Sequence, residues 1–180
     1  MSDYVAFLRA INIGGHIVKM ETLKQVFEQL GFSNVESFIA SGNMIFDTVL
    51  TETAELEKTI QTALREALGY DVAVFIRTSQ EVASIAGYQP FPAPILNAAT
   101  ALNVAFLSFS PDPQAITKLM SLKTDIDDFN IHEREIYWLC KKKQSESTFS
   151  NAVLEKVLGR QSTLRGINTI KKLTDKYHFS

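Results

Sequence analysis

The sequence predicts an α+β protein built from two tandem subdomains of similar plan. Three observations predict it. Short apolar runs of strand type alternate with segments of helical spacing, in the order βαββαβ through about residue 78 and βαββα plus a final helix thereafter. Three of the five prolines, Pro90, Pro92 and Pro94, fall between the two halves. The run Val104-Ala105-Phe106-Leu107 repeats Val5-Ala6-Phe7-Leu8, once near the start of each half.

Residues 4–11 form a nearly continuous apolar run with one arginine, the mark of a strand buried on both faces. Met20, Leu23, Val26, Phe27 and Leu30 recur at helical spacing, and Gly31 closes that helix. Residues 35–40 and 44–48 read as two strands joined by a tight turn at Ser41-Gly42-Asn43. Leu56, Ile60, Ala63, Leu64 and Ala67 line one face of a helix over 52–68 that Gly69 ends, and 72–76 is another buried strand. This order is the split-βαβ, ferredoxin-like plan, with one antiparallel sheet and both helices on one of its faces. A short helix over 80–86 completes a first subdomain of residues 1–86. Residues 87–101 read as a proline-rich linker. In the second subdomain, 102–180, a strand begins at "NVAFLSFS" and Asp112-Pro113 opens a helix. Residues 129–131 and 136–140 are strands around a charged turn. A helix carrying Val153, Leu154, Val157 and Leu158 follows, and a final helix starts somewhere in 163–168.

Composition narrows the function classes. No apolar run approaches the roughly 18 residues that cross a bilayer, so no membrane partner is expected. No basic segment precedes an apolar one at the start, so no secretion signal is expected. Cys140 is the one cysteine, which fits a reducing, cytoplasmic setting. Residues 1–90 carry 6 Lys/Arg against 11 Asp/Glu, whereas from Arg134 onward the count is 10 against 4. Such a basic region can meet an anion or nucleic acid, although a charge run is ordinarily a solvated face.

The split-βαβ topology sets the end of the first strand beside the turn between strands two and three. Arg9, Asn12, Gly14, Gly15, His16 and Lys19 are therefore expected near Ser41, Gly42 and Asn43. None of residues 16–19 is Ser, Thr, Asp or Asn, so the first helix lacks the usual side-chain cap. Lys19 also stands at the positive end of the helix dipole, a mismatch of about 0.3–1 kcal/mol. A bound anion would relieve both defects. A bare Gly-Gly pair also serves as a plain turn, and the spacing matches neither a P-loop nor a dinucleotide fingerprint.

"YVAFLRAINIGGHIVKM", "LGFSNVESFIASGNMIF" and "LEKVLGRQSTLRGINTIKKL" resemble three signatures of the bacterial domain-of-unknown-function family 1697. In that family the first strand ends in LRGINVGG, a Lys-Met pair opens the helix and SGN precedes a strand. Here Ala10 and Ile13 stand for the usual Gly and Val. The third signature usually reads like TTRNWNT. Thr163, Arg165, Asn168 and Thr169 keep it, while Gly166 and Ile167 replace its Asn and Trp. The resemblance spans nearly the whole chain. It implies a pair of α+β subdomains, the first ferredoxin-like, and no assigned activity. It also implies that the polar residues of the three signatures belong together. The candidate ligand-binding set is thus Arg9, Asn12, Gly14, Gly15, Lys19, Ser41, Gly42, Asn43, Thr163, Arg165, Asn168 and Thr169, for a small anionic or phosphorylated ligand.

Other chemistries find less support. His16, His132 and His178 are far apart without Cys or carboxylate at ligand spacing, so no metal and no cofactor is expected. Cys140 lies in a strand pattern and reads as a structural thiol, although lysines 141–143 would lower its pKa if it were exposed. Asp125, Asp127 and Asp128 read as an acidic turn. Ser41 lies in a strand-turn-strand setting rather than a nucleophile elbow. No catalytic dyad is visible and no reaction is named. The alternative to a small ligand is a nucleic-acid or protein interaction module using the basic C-terminal region, where Tyr137 and Trp138 lie near 141–143. The aromatic signature of an RNA-recognition motif is absent from "GNMIFDT".

Overall fold

A computed structural model describes residues 2–12, 14–39 and 42–180 of the chain. It divides into two compact units, Met1–Ala86 with Lys171–Ser180, and Gly87–Ile170. Among the described residues no helix is long and apolar enough to cross a membrane.

The first unit runs β1 (Ser2–Leu8), α1 (Met20–Gln29), β2 (Ser33–Ser37), β3 (Asn43–Thr48), α2 (Thr53–Leu68), β4 (Val74–Thr78) and α3 (Ser79–Gly87). Its sheet has the order β2-β3-β1-β4 and every neighbouring pair is antiparallel. Alternation along β1 sends Tyr4, Ala6 and Leu8 toward the helices. They join Leu23 and Phe27 of α1 and Leu56, Ile60 and Leu64 of α2 in one core. Phe46 is the hub of that core, 4.6 Å from Phe32 and 5.3 Å from Phe27 between ring centroids. Val5 and Phe7, on the opposite face, are buried as well, in keeping with the unbroken apolar run. Glu57 of α2 is a buried carboxylate, and it accepts the Ile76 N–H of edge strand β4 at 3.0 Å. A helix side chain thus satisfies a donor that a sheet edge would leave open.

The second unit contains α4 (Ala93–Ala98), β5 (Ala101–Phe106), α5 (Pro113–Met120), β6 (Asp127–His132), β7 (Glu135–Cys140), α6 (Asn151–Leu158), β8 (Thr163–Gly166) and the start of α7 (Ile167–Tyr177). Its antiparallel sheet has the order β6-β7-β5-β8, the first unit's order repeated strand for strand. The match extends to register. Val5 lies opposite Arg77, and Val104 opposite Arg165.

Two segments carry more structure than the sequence pattern predicts. Residues 163–166, expected within the approach to the last helix, form strand β8. Their polarity hides the strand, but they complete the second edge of β5, which needs partners for its backbone groups. The proline-rich stretch holds helix α4, with Pro92 as its N-cap. Tyr88 also packs into the second unit, stacking on His132 at 4.1 Å and donating its hydroxyl to Asn130 Oδ1 at 3.1 Å.

A buried carboxylate organises the far end of the second sheet. Asp127 accepts from Trp138 Nε1 at 2.8 Å, from Ser147 Oγ at 2.9 Å and from Thr124 Oγ1 at 3.1 Å. Cys140 pairs with Asp127 across the ladder and is buried. Desolvation pushes its thiol pKa up, the Asp127 carboxylate adds to the rise, and a backbone hydrogen bond involving Lys142 only partly opposes it. The lysines that follow do not activate this thiol.

The end of α7 is tied to β2. Tyr177 donates its hydroxyl to Glu36 Oε2 at 2.8 Å, Lys176 Nζ lies 3.8 Å from that oxygen, and the Tyr177 ring meets Phe38 edge-on at 6.1 Å. Burial first, then the hydrogen bond to Glu36, holds the phenol pKa above its ordinary value. The native state therefore keeps the phenol proton where the unfolded chain has lost it. This contact stabilises fully below the unfolded pKa of about 10 and fades as pH rises through the folded value. In thermal melts, the gap between parent and Tyr177→Phe should be widest near neutrality and narrow above about pH 10. A gap constant through pH 11 would show that the hydroxyl does not carry the contact.

Candidate functional site

Antiparallel pairing fixes the geometry at the end of β1. The last ladder pair with β3 is Phe7–Asn43, and Leu8 N–H then donates to the Gly42 carbonyl at 2.7 Å. On the other side, Arg9 N–H donates to the Ala73 carbonyl at 2.9 Å. Arg9 and Gly42 therefore meet at one rim of the first unit, where the loop 9–19 begins. Ser41 and Ile13 lie outside the described residues.

Loop 9–19 is closed by its own side chains and by a neighbour. Asn12 Oδ1 accepts the Val18 N–H at 2.9 Å, bridging the two glycines. Tyr70 donates its hydroxyl to the Ile11 carbonyl at 2.5 Å, and its ring lies 5.8 Å from that of His16. Gly14 and Gly15 have φ of +56° and +82°, which only glycine adopts without strain. Ala10 at +44° and Ile39 at +41° reach the same region with a Cβ. For a β-branched residue this is a costly backbone, about 1–3 kcal/mol, and such residues gather at functional sites.

The start of α1 follows the sequence expectation. Lys19 is its N-cap residue and makes no side-chain capping bond. Glu21 in the first turn is the only acidic residue set against the helix dipole there. The equivalent helix of the second unit, α5, has Asp112 as its N-cap, and that carboxylate accepts the Ala115 N–H at 2.8 Å. One corner of the repeated plan thus holds a carboxylate and the other holds a cation.

Asn43 has a different occupation. It is 3% exposed, and its Nδ2 donates to the carbonyls of Phe38 at 2.9 Å and Ile39 at 3.2 Å. Its amide nitrogen therefore shapes the turn that presents Ile39 and Gly42.

The third signature belongs to the second unit. Arg165 Nη1 donates to Thr163 Oγ1 and to the Leu164 carbonyl, both at 2.8 Å. Desolvation lowers its pKa to about 10, so the guanidinium stays charged at neutrality. Arg77, its counterpart on β4, is fully buried and donates Nη1 to the Ile76 carbonyl at the same 2.8 Å. Asn168 is exposed and Thr169 half-buried in the first turn of α7.

Sequence reasoning missed Arg77, Tyr70 and Ala73. A single cation in the apolar run "VFIRT" marks the first. The other two follow from topology, because β4 pairs with β1 and its approach lies beside the end of β1. The aromatics near lysines 141–143 are unavailable for stacking, since Tyr137 and Trp138 are buried.

A family model described as "Protein of unknown function (DUF1697)" matches residues 1–137. The chain belongs to the DUF1697 family. No match to it was found among curated proteins. A conserved bacterial protein from Streptococcus pneumoniae, of solved structure, is similar to it in fold, with a TM-score of 0.76, 23% identity and 97% of each chain covered. The DUF1697 match contains all rim residues from Arg9 to Asn43 and stops short of 163–169.

Replacing Asn43 with Ala leaves the carbonyls of Phe38 and Ile39 without a buried donor. Urea unfolding of Asn43→Ala should show a loss of about 1–3 kcal/mol. A loss below about 0.5 kcal/mol, the range of ordinary surface substitutions, would mean the turn does not need this amide.

Proposed function

We propose that the rim at the end of β1 binds a small anionic ligand, with a phosphate or carboxylate group at the start of α1. The observation that carries this reading is the cation at an uncapped helix start. Lys19 occupies the N-cap of α1 without a capping bond, where the repeated plan of the second unit has its own carboxylate, Asp112. Free N–H groups and the helix dipole both favour a negative group there. Arg9 and Lys19 supply charge, and Gly14 and Gly15 let the backbone approach ligand oxygens closely. Gly42 and Asn43 hold the adjoining turn in place, and Ser41, outside the described residues, belongs to this reading by its place in the sequence alone. Thr163, Arg165, Asn168 and Thr169 lie in the second unit and enter this reading through the family signatures alone.

In thermal-shift titrations with inorganic phosphate, nucleoside phosphates, phosphosugars and carboxylates at matched ionic strength, a member of the class should raise the melting temperature. At about 100 times its Kd the gain corresponds to roughly 2.7 kcal/mol. The double variant Arg9→Gln, Lys19→Gln should lose that gain. A shift equal in parent and variant, or no shift beyond that of sodium chloride, would remove the proposal.

A further inference from the structure

The second unit has its own loop at the corresponding corner, residues 107–112. Leu107 N–H donates to the Arg134 carbonyl at 3.0 Å, as Leu8 N–H does to Gly42. At this corner stands Phe109, 60% exposed despite its large apolar ring. Arg160, just beyond α6, places its guanidinium carbon 3.9 Å from the ring centroid and donates Nη1 to the Phe109 carbonyl at 3.0 Å. Arg134 Nη1 reaches the preceding carbonyl, that of Ser108, at 3.4 Å. Two guanidinium groups thus grip consecutive carbonyls of one loop. Among the described residues no carboxylate pairs with Arg160, and the nearby Asp112 carboxylate caps α5.

The guanidinium covers one face of the Phe109 ring, so the exposed area is the opposite face and the ring edge. The two arginines hold the loop backbone on either side of the Phe109 Cα, and the ring itself rests on the Arg160 guanidinium. A flat apolar surface in a cationic setting suits a ligand that is itself flat and anionic. A nucleobase stacks on such a ring without regard to its identity, and its phosphate is drawn to the arginines. We infer that Phe109, Arg160 and Arg134 form a binding site for a nucleobase linked to phosphate, taken from a mononucleotide or from a single strand. This site uses other residues than the Arg9–Lys19 rim and stands independently of it.

Fluorescence anisotropy with a labelled eight-nucleotide oligothymidylate, and calorimetry with AMP, test the site on the full chain at low and moderate salt. Binding of the strand should weaken steeply with salt. Phe109→Ala should weaken it about tenfold and Phe109→Tyr should restore it. Arg160→Gln should weaken binding and flatten the salt dependence. Arg9→Gln with Lys19→Gln should leave binding unchanged, which separates this site from the rim. Binding of AMP with the same variant pattern identifies a mononucleotide as sufficient, and binding of the strand alone identifies the polymer as the source. Failure of both probes to bind at low salt overturns the inference. So does equal binding by parent and Phe109→Ala, whose exposed position leaves the fold intact in the matching thermal melt.

Discussion

In each unit the first strand is one of the two central strands, and the rest of the structure depends on its being paired along both edges. β1 is bonded to β3 on one side and β4 on the other, and β5 to β7 and β8 in the same way. A strand with both edges satisfied cannot shift register without breaking two ladders. Its end is therefore a fixed point. The chain leaving it is held by one more bond to the turn of the neighbouring hairpin, Leu8 to Gly42 and Leu107 to Arg134. Each loop begins from a rigid base, which is what a binding loop requires.

The helices follow from the same constraint. One face of each sheet is apolar, and the helices cover it. The edge strands β4 and β8 end their sheets, and other elements supply bonds there. Glu57 serves β4 from within α2, and Glu155 Oε1 of α6 accepts Ser162 N–H at 2.9 Å just before β8. Both carboxylates occupy the fifth position of their helices. These acids look like ordinary surface residues in the sequence, because helical periodicity records apolar faces and not the partner a polar side chain will find.

That distinction explains how much was legible. The apolar strands, the helix stops at Gly31 and Gly69, and the repeated plan were readable because burial and left-handed caps leave strong local signals. The nearness of Arg9 to Gly42 was readable because strand order alone fixes it. β8 was not, since Thr163–Gly166 is polar and becomes a strand only through the open edge of β5. Asn43 was readable as a rim residue, but its commitment to the carbonyls of Phe38 and Ile39 depends on where the fold places those two residues. Phe109 passed unnoticed because a single aromatic in a loop has no period. Its exposure and its arginine partner are properties of the folded corner.

The two corners show how one plan takes two chemistries. The first loop spans residues 9–19 between β1 and α1, and the second spans 107–112 between β5 and α5. The shorter loop leads straight into its helix, and Asp112 reaches the first-turn N–H groups unaided. The longer loop needs positive φ at Gly14 and Gly15 and a bridge from Asn12 to turn back, and it delivers Lys19 where a carboxylate would cap. In the second unit the cations stand outside the helix start, on Arg134 and Arg160, and grip the loop from its carbonyl side. On the readings proposed above, the first corner offers backbone N–H groups of a helix start and the second offers guanidinium groups. A bare anion suits the first arrangement, because nothing flat is offered beside it. A ligand with a ring suits the second, because the charge there comes with an aromatic face. On these two proposals the repeated fold sets where each loop stands, and loop length together with the sign of one capping residue sets which ligand chemistry the corner suits.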